Sequence, residues 1–122
     1  MMRKSSALFL LVASASMAGS AFAEVPKVNN GQWVDQAGAT LYIFDKDTKD
    51  KSACDAACAK NWPPAIADAS DTAAADWSFV QTHDGQRQWA YKGKPLYRFI
   101  GDKKPGDTAG DGIKGVWHIA KP

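Results

Sequence analysis

The chain contains one sequence pattern twice. "TLYIFDKD" at residues 40–47 returns as "PLYRFIGD" at residues 95–102. When the sequence is shifted by 55 residues without gaps, identical residues coincide at turn, strand and aromatic positions. The coinciding pairs are Gly38 with Gly93, Leu41 with Leu96, Tyr42 with Tyr97, Phe44 with Phe99, Asp47 with Asp102, and Trp62 with Trp117. Two copies are too few for a stacked solenoid, so the pattern predicts two pseudo-repeats, about 31–67 and 77–122, packed into one domain.

Each copy begins with a predicted strand. Tyr42 and Phe44 are two residues apart, so their side chains point to the same face of that strand. Tyr97 and Phe99 repeat this spacing in the second copy. Arg98 lies between them and points to the opposite face, which we therefore expect to meet water. The sequence thus predicts a buried pair of aromatic rings in each copy.

A carboxylate follows each aromatic pair by three residues, where the strand should end. Asp47 and Asp102 can accept backbone N–H groups there and close a turn. We predict a structural role for the motif, with a ligand or metal role as the alternative. The predicted structural residues are Tyr42, Phe44, Asp47, Tyr97, Phe99, Asp102, Trp62 and Trp117.

Further strands are predicted outside the motif. Asp84-Gly85 separates two strand-like runs within "WSFVQTHDGQRQWAY", residues 77–91, and is a strong hairpin signal. Residues 33–34 and 116–119 are predicted as additional short strands. With about six strands in total, we expect a mainly β fold. We expect a small antiparallel sheet, sandwich- or barrel-like, built from the two pseudo-repeats with one short cysteine-containing helix.

That helix is predicted within "KSACDAACAKNWPP", residues 51–64. Ser52 and Asp55 resemble an acidic variant of the capping box, and the two prolines prevent the helix from continuing. The segment predicts about two helical turns. It also contains both cysteines of the chain, Cys54 and Cys58.

The cysteines leave three alternatives open. In an exported protein an intrachain disulfide is the default, and we predict that Cys54 and Cys58 form one. Ideal helical geometry keeps residues four apart too distant, so Cys54 should lie at or before the helix start. The alternatives are thiol redox chemistry and a metal site that also uses His83 or His118. We expect no metal and no other cofactor.

The first 23 residues predict a secretory signal peptide. Arg3 and Lys4 precede an apolar stretch that ends in an A-x-A cleavage pattern at Ala23. The formal net charge of +2 comes from those two basic residues, so the mature chain, 24–122, is neutral. A neutral domain has no general attraction for nucleic acid, and we expect no nucleic-acid partner. We also expect no membrane span after leader cleavage, and a periplasmic or secreted location.

The combined motifs carry a resemblance to a known family. "LYIFDKD", Cys-x-x-x-Cys-Ala, "WPP" and "DGQRQWAYKGKPLYRFIGDKKPGDTAGDGIKGVW" resemble the bacterial exported family with the Y-x-[F/W/Y]-x-x-D motif. Its members are described as predicted lipoproteins or secreted repeats of unknown function. Many members carry a lipidated cysteine after the leader. This chain has Ala23-Glu24 there, which favours an unlipidated periplasmic protein. The family has no settled activity, so the resemblance implies no catalytic residues.

No catalytic motif is present in the sequence. There is no nucleophile elbow, phosphate loop or H-E-x-x-H motif, and the acidic loops 45–52 and 106–112 fit long turns better than calcium loops. We therefore expect a non-enzymatic binding or structural module, with an unknown envelope protein or small ligand as partner. The alternative is a periplasmic redox or metal-handling protein that uses Cys54 and Cys58 with His83 or His118.

Overall fold

Short strands joined by tight turns make up most of the structure. The computed structural model describes residues 25–122, so the predicted signal peptide, 1–23, lies outside the described residues. The elements in chain order are β1 Lys27–Asn29, β2 Gln32–Val34, β3 Tyr42–Phe44, helix α1 Ala56–Ala59, β4 Trp77–Gln81, β5 Arg87–Tyr91, β6 Lys94–Pro95, a 3-10 helix Ile113–Gly115, and β7 Trp117–Ile119.

The strands form three small antiparallel sheets. β1 pairs with β2, β3 pairs with β7, and β4, β5 and β6 form a three-stranded sheet. The predicted mainly β class is confirmed, with seven strands where the sequence predicted about six. Within residues 25–122 the strands do not close into a barrel.

The longest ladder is the predicted hairpin of β4 and β5. Trp77 pairs with Tyr91 at its open end, and four more residue pairs follow in register. At the turn, Gly85 adopts a φ of +87°, a left-handed conformation that glycine reaches without steric cost. The Thr82 hydroxyl accepts from the Gln86 N–H at 2.9 Å and closes the turn.

The chain crosses between the two repeats to pair the motif segments. The strand predicted for the second motif was wrong in extent, because β6 ends at Pro95 and Tyr97 forms only isolated bridges. β3 of the first repeat lies against β7 at the end of the second, with Phe44 opposite Trp117. In the other direction, Tyr97 of the second repeat bridges Pro64 of the first. Between these ladders the Tyr42 N–H donates to the Tyr97 carbonyl at 2.8 Å, and the Tyr97 N–H donates back at 3.0 Å. The two repeats are therefore interlocked around an approximate two-fold axis.

Two hydrophobic clusters lie on opposite sides of the two motif segments. The first cluster contains Leu41, Ala65, Ala67, Trp89, Leu96 and Ala120. The second contains Tyr42, Cys54, Trp62, Tyr97 and Trp117. This division follows the predicted alternation of side chains along each strand. Arg98 and Ile100 are exposed, but Leu96 on the same face is fully buried in the first cluster, so the expectation that this face meets water was wrong at Leu96.

The cysteine-containing helix is shorter than predicted, with four residues, Ala56–Ala59. The prediction of about two turns and of a Ser52 capping box was wrong. Asp55 is the N-cap, because its side chain accepts the Cys58 N–H at 3.0 Å. The helix can begin only after that residue, and the Ser52 hydroxyl is instead hydrogen-bonded to the Tyr97 hydroxyl at 2.6 Å.

Candidate functional site

The tyrosines and aspartates of the repeated motif exchange hydrogen bonds between the repeats. The Tyr42 hydroxyl donates to Asp102 Oδ2 at 2.7 Å. The Tyr97 hydroxyl donates to Asp47 Oδ2, also at 2.7 Å. Each tyrosine thus pairs with the aspartate of the other copy. The motif completes its hydrogen bonds only when both copies are folded together.

The second oxygen of each aspartate holds the loop that follows it. Asp47 Oδ1 accepts the Ala53 N–H at 2.7 Å. Asp102 Oδ1 accepts the Ala109 N–H at 2.8 Å. Both carboxylates therefore accept a backbone N–H of the loop that follows them, as the sequence predicted. Each carboxylate connects a buried phenol of one repeat to a loop backbone of the other.

Each tyrosine hydroxyl has a further partner. The Gly110 N–H donates to the Tyr42 hydroxyl at 3.2 Å. Ser52 occupies the corresponding place at the Tyr97 hydroxyl. Because an unmatched polar group in a protein interior is costly, these contacts stabilise the burial of both phenols.

Burial sets the protonation of these groups. It raises the pKa of the Tyr42 and Tyr97 hydroxyls well above the ordinary value, and the hydrogen bonds to Asp102 and Asp47 raise it further. Burial also raises the pKa of Asp47, although the Ala53 N–H and the Tyr97 hydroxyl act in the opposite direction. Both phenols therefore remain protonated donors at neutral pH, and neither is prepared to act as a base or nucleophile.

Four aromatic rings form a continuous stack along the axis. Trp62 and Trp117 lie face to face, with ring centroids 3.8 Å apart and planes 3° from parallel. Phe44 stacks on the outer face of Trp117 at 4.2 Å, and Phe99 stacks on Trp62 at 4.4 Å. Each motif tyrosine meets the tryptophan of its own repeat edge-on, at centroid distances of 5.4 and 5.2 Å. All eight predicted motif residues are thus brought together in one assembly, in which the tyrosines and tryptophans are buried and the phenylalanines and aspartates are partly buried.

The two cysteines form the predicted disulfide. Cys54 and Cys58 are bonded, with their Cα atoms 5.2 Å apart. Cys54 precedes the helix and its N-cap, in agreement with the geometric requirement inferred from the sequence. Cys54 also belongs to the cluster around the aromatic stack. The disulfide therefore closes a short turn within the loop of the first repeat, and Cys54 packs against the shared core.

The two histidines contact different parts of the surface. His118 Nε2 lies 2.8 Å from Asp45 Oδ2. His83 lines a cavity of about 260 Å³ together with Cys54 and Asp55. Among residues 25–122 no group of three or more His, Cys, Asp or Glu side chains is placed to hold a metal ion.

A surface groove, named groove A, runs beside the first motif. Its main cavity, of about 410 Å³, lies between residues 43–49 and the turn 92–95. A neighbouring cavity of about 220 Å³ shares Ile43, Lys92 and Lys94 with it and extends to residues 120–122.

A second groove, named groove B, runs beside the second motif. One cavity, of about 200 Å³, lies between residues 98–105 and the turn 37–40. An adjoining cavity of about 310 Å³ shares Ala37 and Arg98 with it and is bounded by Ile66 and Trp89. A shift of 55 residues places most of the lining of groove A on that of groove B.

A glycine turn of one repeat closes each groove against the loop of the other. The Asp50 N–H donates to the Gly93 carbonyl at 2.8 Å, and the Gly106 N–H donates to the Gly38 carbonyl at 3.3 Å. The second bond is displaced by one residue because Pro105 has no N–H group. Both glycines have a left-handed φ, +81° and +88°, and a Cβ at Gly93 would lie 2.7 Å from Lys49 Cγ. The grooves are therefore junctions between repeats.

The sequence did not reveal the grooves. Their cations stand at isolated exposed positions, and no local motif marks them. The available signal was the 55-residue shift, applied to the residues that flank the motif rather than to the motif itself.

Comparison with known proteins agrees with the sequence resemblance. A family model described as a secreted repeat of unknown function matches the chain twice, over residues 28–66 and 78–121. No curated protein and no solved structure gave a match. Within residues 25–122 no helix has the length and apolar character needed to cross a membrane. Since the two matches cover more than half of the chain, the predicted resemblance is confirmed and the protein belongs to the family described as a secreted repeat of unknown function.

Proposed function

We propose that this protein is a non-enzymatic binding module of the cell envelope, in which the repeated motif forms the core and the surface grooves contact the partner. One observation supports this proposal above others. The four polar side chains of the motif, Tyr42, Asp47, Tyr97 and Asp102, satisfy one another across the repeats. A motif engaged in this way serves architecture, and recognition then falls to the side chains around it.

The family is a secreted one, and we propose the periplasm as the compartment of this member. Cleavage after Ala23 would leave a mature chain that begins at Glu24, with no cysteine at its start to accept a lipid. An oxidising compartment also fits the Cys54–Cys58 disulfide.

Native mass spectrometry of the protein isolated from its own envelope tests the proposal. We expect a chain that starts at Glu24, is two hydrogens lighter than the reduced form, carries no metal, and retains a non-covalently bound molecule or protein. Conversion of the retained molecule by the purified protein would contradict the non-enzymatic assignment.

The variant Tyr42→Phe/Tyr97→Phe provides the matching control. It removes both motif hydroxyls and keeps the rings, so a purely architectural motif predicts lower stability with unchanged retention of the partner. Loss of retention at a temperature where the variant is still folded would assign the motif a direct role in binding.

A redox or metal-handling function is the second candidate. It is favoured by the cavity that His83 lines together with Cys54, since reduction of the disulfide would place two thiols near an imidazole. Free thiols with stoichiometric zinc or copper in the isolated protein would support this candidate. The fully oxidised, metal-free form expected above would reject it. The variant His83→Ala adds a second measurement, because only this candidate predicts that it changes the reduction potential of the disulfide.

A further inference from the structure

We propose that grooves A and B are binding sites for anionic groups, carboxylate or phosphate, of the envelope ligand. This inference rests on the proposed binding function and gives the chemical class of what is bound. It follows from three features: committed carboxylates, uncommitted cations, and the way in which charge is distributed between the two grooves.

The carboxylates in groove A are already used within the protein. Asp47 accepts hydrogen bonds from the Tyr97 hydroxyl and the Ala53 N–H. Asp45 is paired with His118 at 2.8 Å. Both carboxylates keep their negative charge in these contacts, but neither is ion-paired with a lysine among the described residues, and the main cavity is lined by three lysines against these two carboxylates.

Within the described part of the chain, the cations of groove A have no charged or hydrogen-bonding partners, although Lys92 Nζ lies over the Tyr91 ring, 5.3 Å from its centroid. Lys49, Lys92 and Lys94 line the groove with exposed side chains. Their ammonium groups form no hydrogen bond and no ion pair with any of residues 25–122. Lys121 extends the same charge along the adjoining cavity. A concave surface whose unpaired cations outnumber its carboxylates attracts negatively charged ligands.

Groove B repeats this arrangement. Asp102 is held by the Tyr42 hydroxyl, and Asp35 Oδ1 accepts the backbone N–H groups of its own turn, Ala37 and Ala39. Arg98 and Lys104, in contrast, have side chains without a hydrogen bond or ion pair among the described residues. Lys103 donates its ammonium only to the Ile100 carbonyl, at 3.2 Å.

The two grooves obtain their positive charge from different positions. At the 55-residue shift only Lys49 and Lys104 coincide as cations. Lys92 and Lys94 correspond to Ala37 and Ala39, whereas Arg98 and Lys103 correspond to Ile43 and Thr48. Charge inherited by duplication alone would stand at matching positions. Both grooves therefore have more cations than carboxylates in their linings, although only one cation position is shared.

The size of the expected ligand follows from the overall charge. The mature chain is neutral, so the positive potential is confined to the grooves and falls off within about 10 Å at moderate ionic strength. A small molecule with two or more negative groups suits such a site better than a long polyanion, which needs an extended basic surface.

The test is a titration of the oxidised mature protein, followed by the amide resonances of both grooves. The probes are citrate for carboxylates and pyrophosphate for phosphates, with acetate as the singly charged control. We expect saturable shifts confined to the groove residues with citrate or pyrophosphate. A response to citrate alone would identify carboxylate as the ligand chemistry, and a response to pyrophosphate alone would identify phosphate.

The variant Lys49→Gln/Lys92→Gln/Lys94→Gln should weaken binding in groove A about tenfold or more, while groove B keeps its affinity. The matched control is Lys27→Gln/Lys60→Gln/Lys114→Gln, which has the same net charge. It replaces a strand lysine, a helix-end lysine and Lys114, whose left-handed φ of 54° matches the 51° of Lys92. Unchanged thermal unfolding of both variants establishes that they fold.

Equal weakening by the two triple variants, or no saturable shift with either probe, would overturn the inference. These results leave the proposed function intact if the native protein still carries an uncharged ligand or a protein partner. Conversely, turnover of a bound anion would refute the non-enzymatic assignment while it supports the anion sites. The two proposals therefore fail through different measurements.

Discussion

The two repeats are nearly identical where they touch each other and different where they face solvent. At the interface, both tyrosine–aspartate bonds measure 2.7 Å. Outside it, the loop of the first repeat contains helix α1 and a disulfide, whereas the second contains a 3-10 helix, Ile113–Gly115, and no cysteine. Shared geometry at the interface thus coexists with unrelated loop structures.

This difference separates what the interface constrains from what it leaves free. Each loop has one task in common, which is to present a backbone N–H to the motif aspartate, and Ala53 and Ala109 both do so. A backbone group can be supplied by many sequences, so the loops can diverge. The two equivalent tryptophans stack directly on each other, so a change in either one alters the packing of both repeats.

The largest expected effect concerns the centre of that interface. Trp62→Ala and Trp117→Ala should each lower the free energy of unfolding by about 3–5 kcal/mol, because each opens a cavity between stacked rings. The two side chains are buried to a similar degree, with 6% and 4% of their surface exposed, so the two losses should agree within about 1 kcal/mol. Urea unfolding followed by fluorescence and circular dichroism measures both.

Milder variants keep this test usable if the alanine variants do not fold. Trp62→Phe and Trp117→Phe retain a ring, and their effects should be non-additive in the double variant because the two side chains touch. The interlocked arrangement also requires one unfolding transition, coincident by both probes. Separate unfolding transitions for the two repeats would contradict the shared interface on which this prediction rests.

The sequence shift predicted which residues are equivalent, and the structure places all six pairs at corresponding positions. It could not predict the exchange, in which Tyr42 bonds to Asp102 rather than to Asp47. The 55-residue shift matches the same residue pairs whether each tyrosine bonds to the aspartate of its own repeat or to that of the other repeat. That choice depends on the crossing of β3 to β7, a long-range pairing without a local sequence signal.

The helix shows a second limit of sequence interpretation. Alanine-rich composition predicted two turns, but tertiary bonds decided the outcome. Asp55 took the N-cap position, and Ser52 was drawn to the Tyr97 hydroxyl. The disulfide was predictable because compartment and spacing are properties of the sequence. The grooves were not, since they arise only where segments distant in the chain meet.

The disulfide offers a way to sharpen the comparison, because only the first repeat has one. Cys54→Ala/Cys58→Ala should lower the free energy of unfolding by about 2 kcal/mol, the loop-closure value for so short a loop. Amide hydrogen exchange should increase in the first loop and remain unchanged in the loop of the second repeat. Faster exchange in both loops would mean that the disulfide supports the shared core rather than its own loop.

Removal of single hydroxyls should have a smaller effect. Tyr42→Phe and Tyr97→Phe should each cost about 1–2 kcal/mol, because each leaves a motif aspartate without its phenol donor. Tyr97→Phe should cost more, since it also removes the partner of Ser52. Tyr91→Phe, at a half-buried phenol with no hydrogen bond among residues 25–122, serves as the matched control. If all three variants lost the same free energy of unfolding, the tyrosine–aspartate hydrogen bonds would contribute nothing specific to stability.

The smallest effect should appear in the pH dependence. Burial raises the pKa of Tyr42 and Tyr97 above the value of about 10 that they have in the unfolded chain. Above that pH the folded protein holds more protons than the unfolded one, so stability present at neutral pH is lost as the pH rises. The loss is at most about 1.4 kcal/mol per pH unit for each tyrosine. Urea unfolding measured from neutral pH to about pH 11 should show this decline in the wild type and a shallower one in Tyr42→Phe/Tyr97→Phe. If the free energy of unfolding falls equally steeply with pH in both proteins, ionisation of the buried phenols does not cause the loss of stability at high pH.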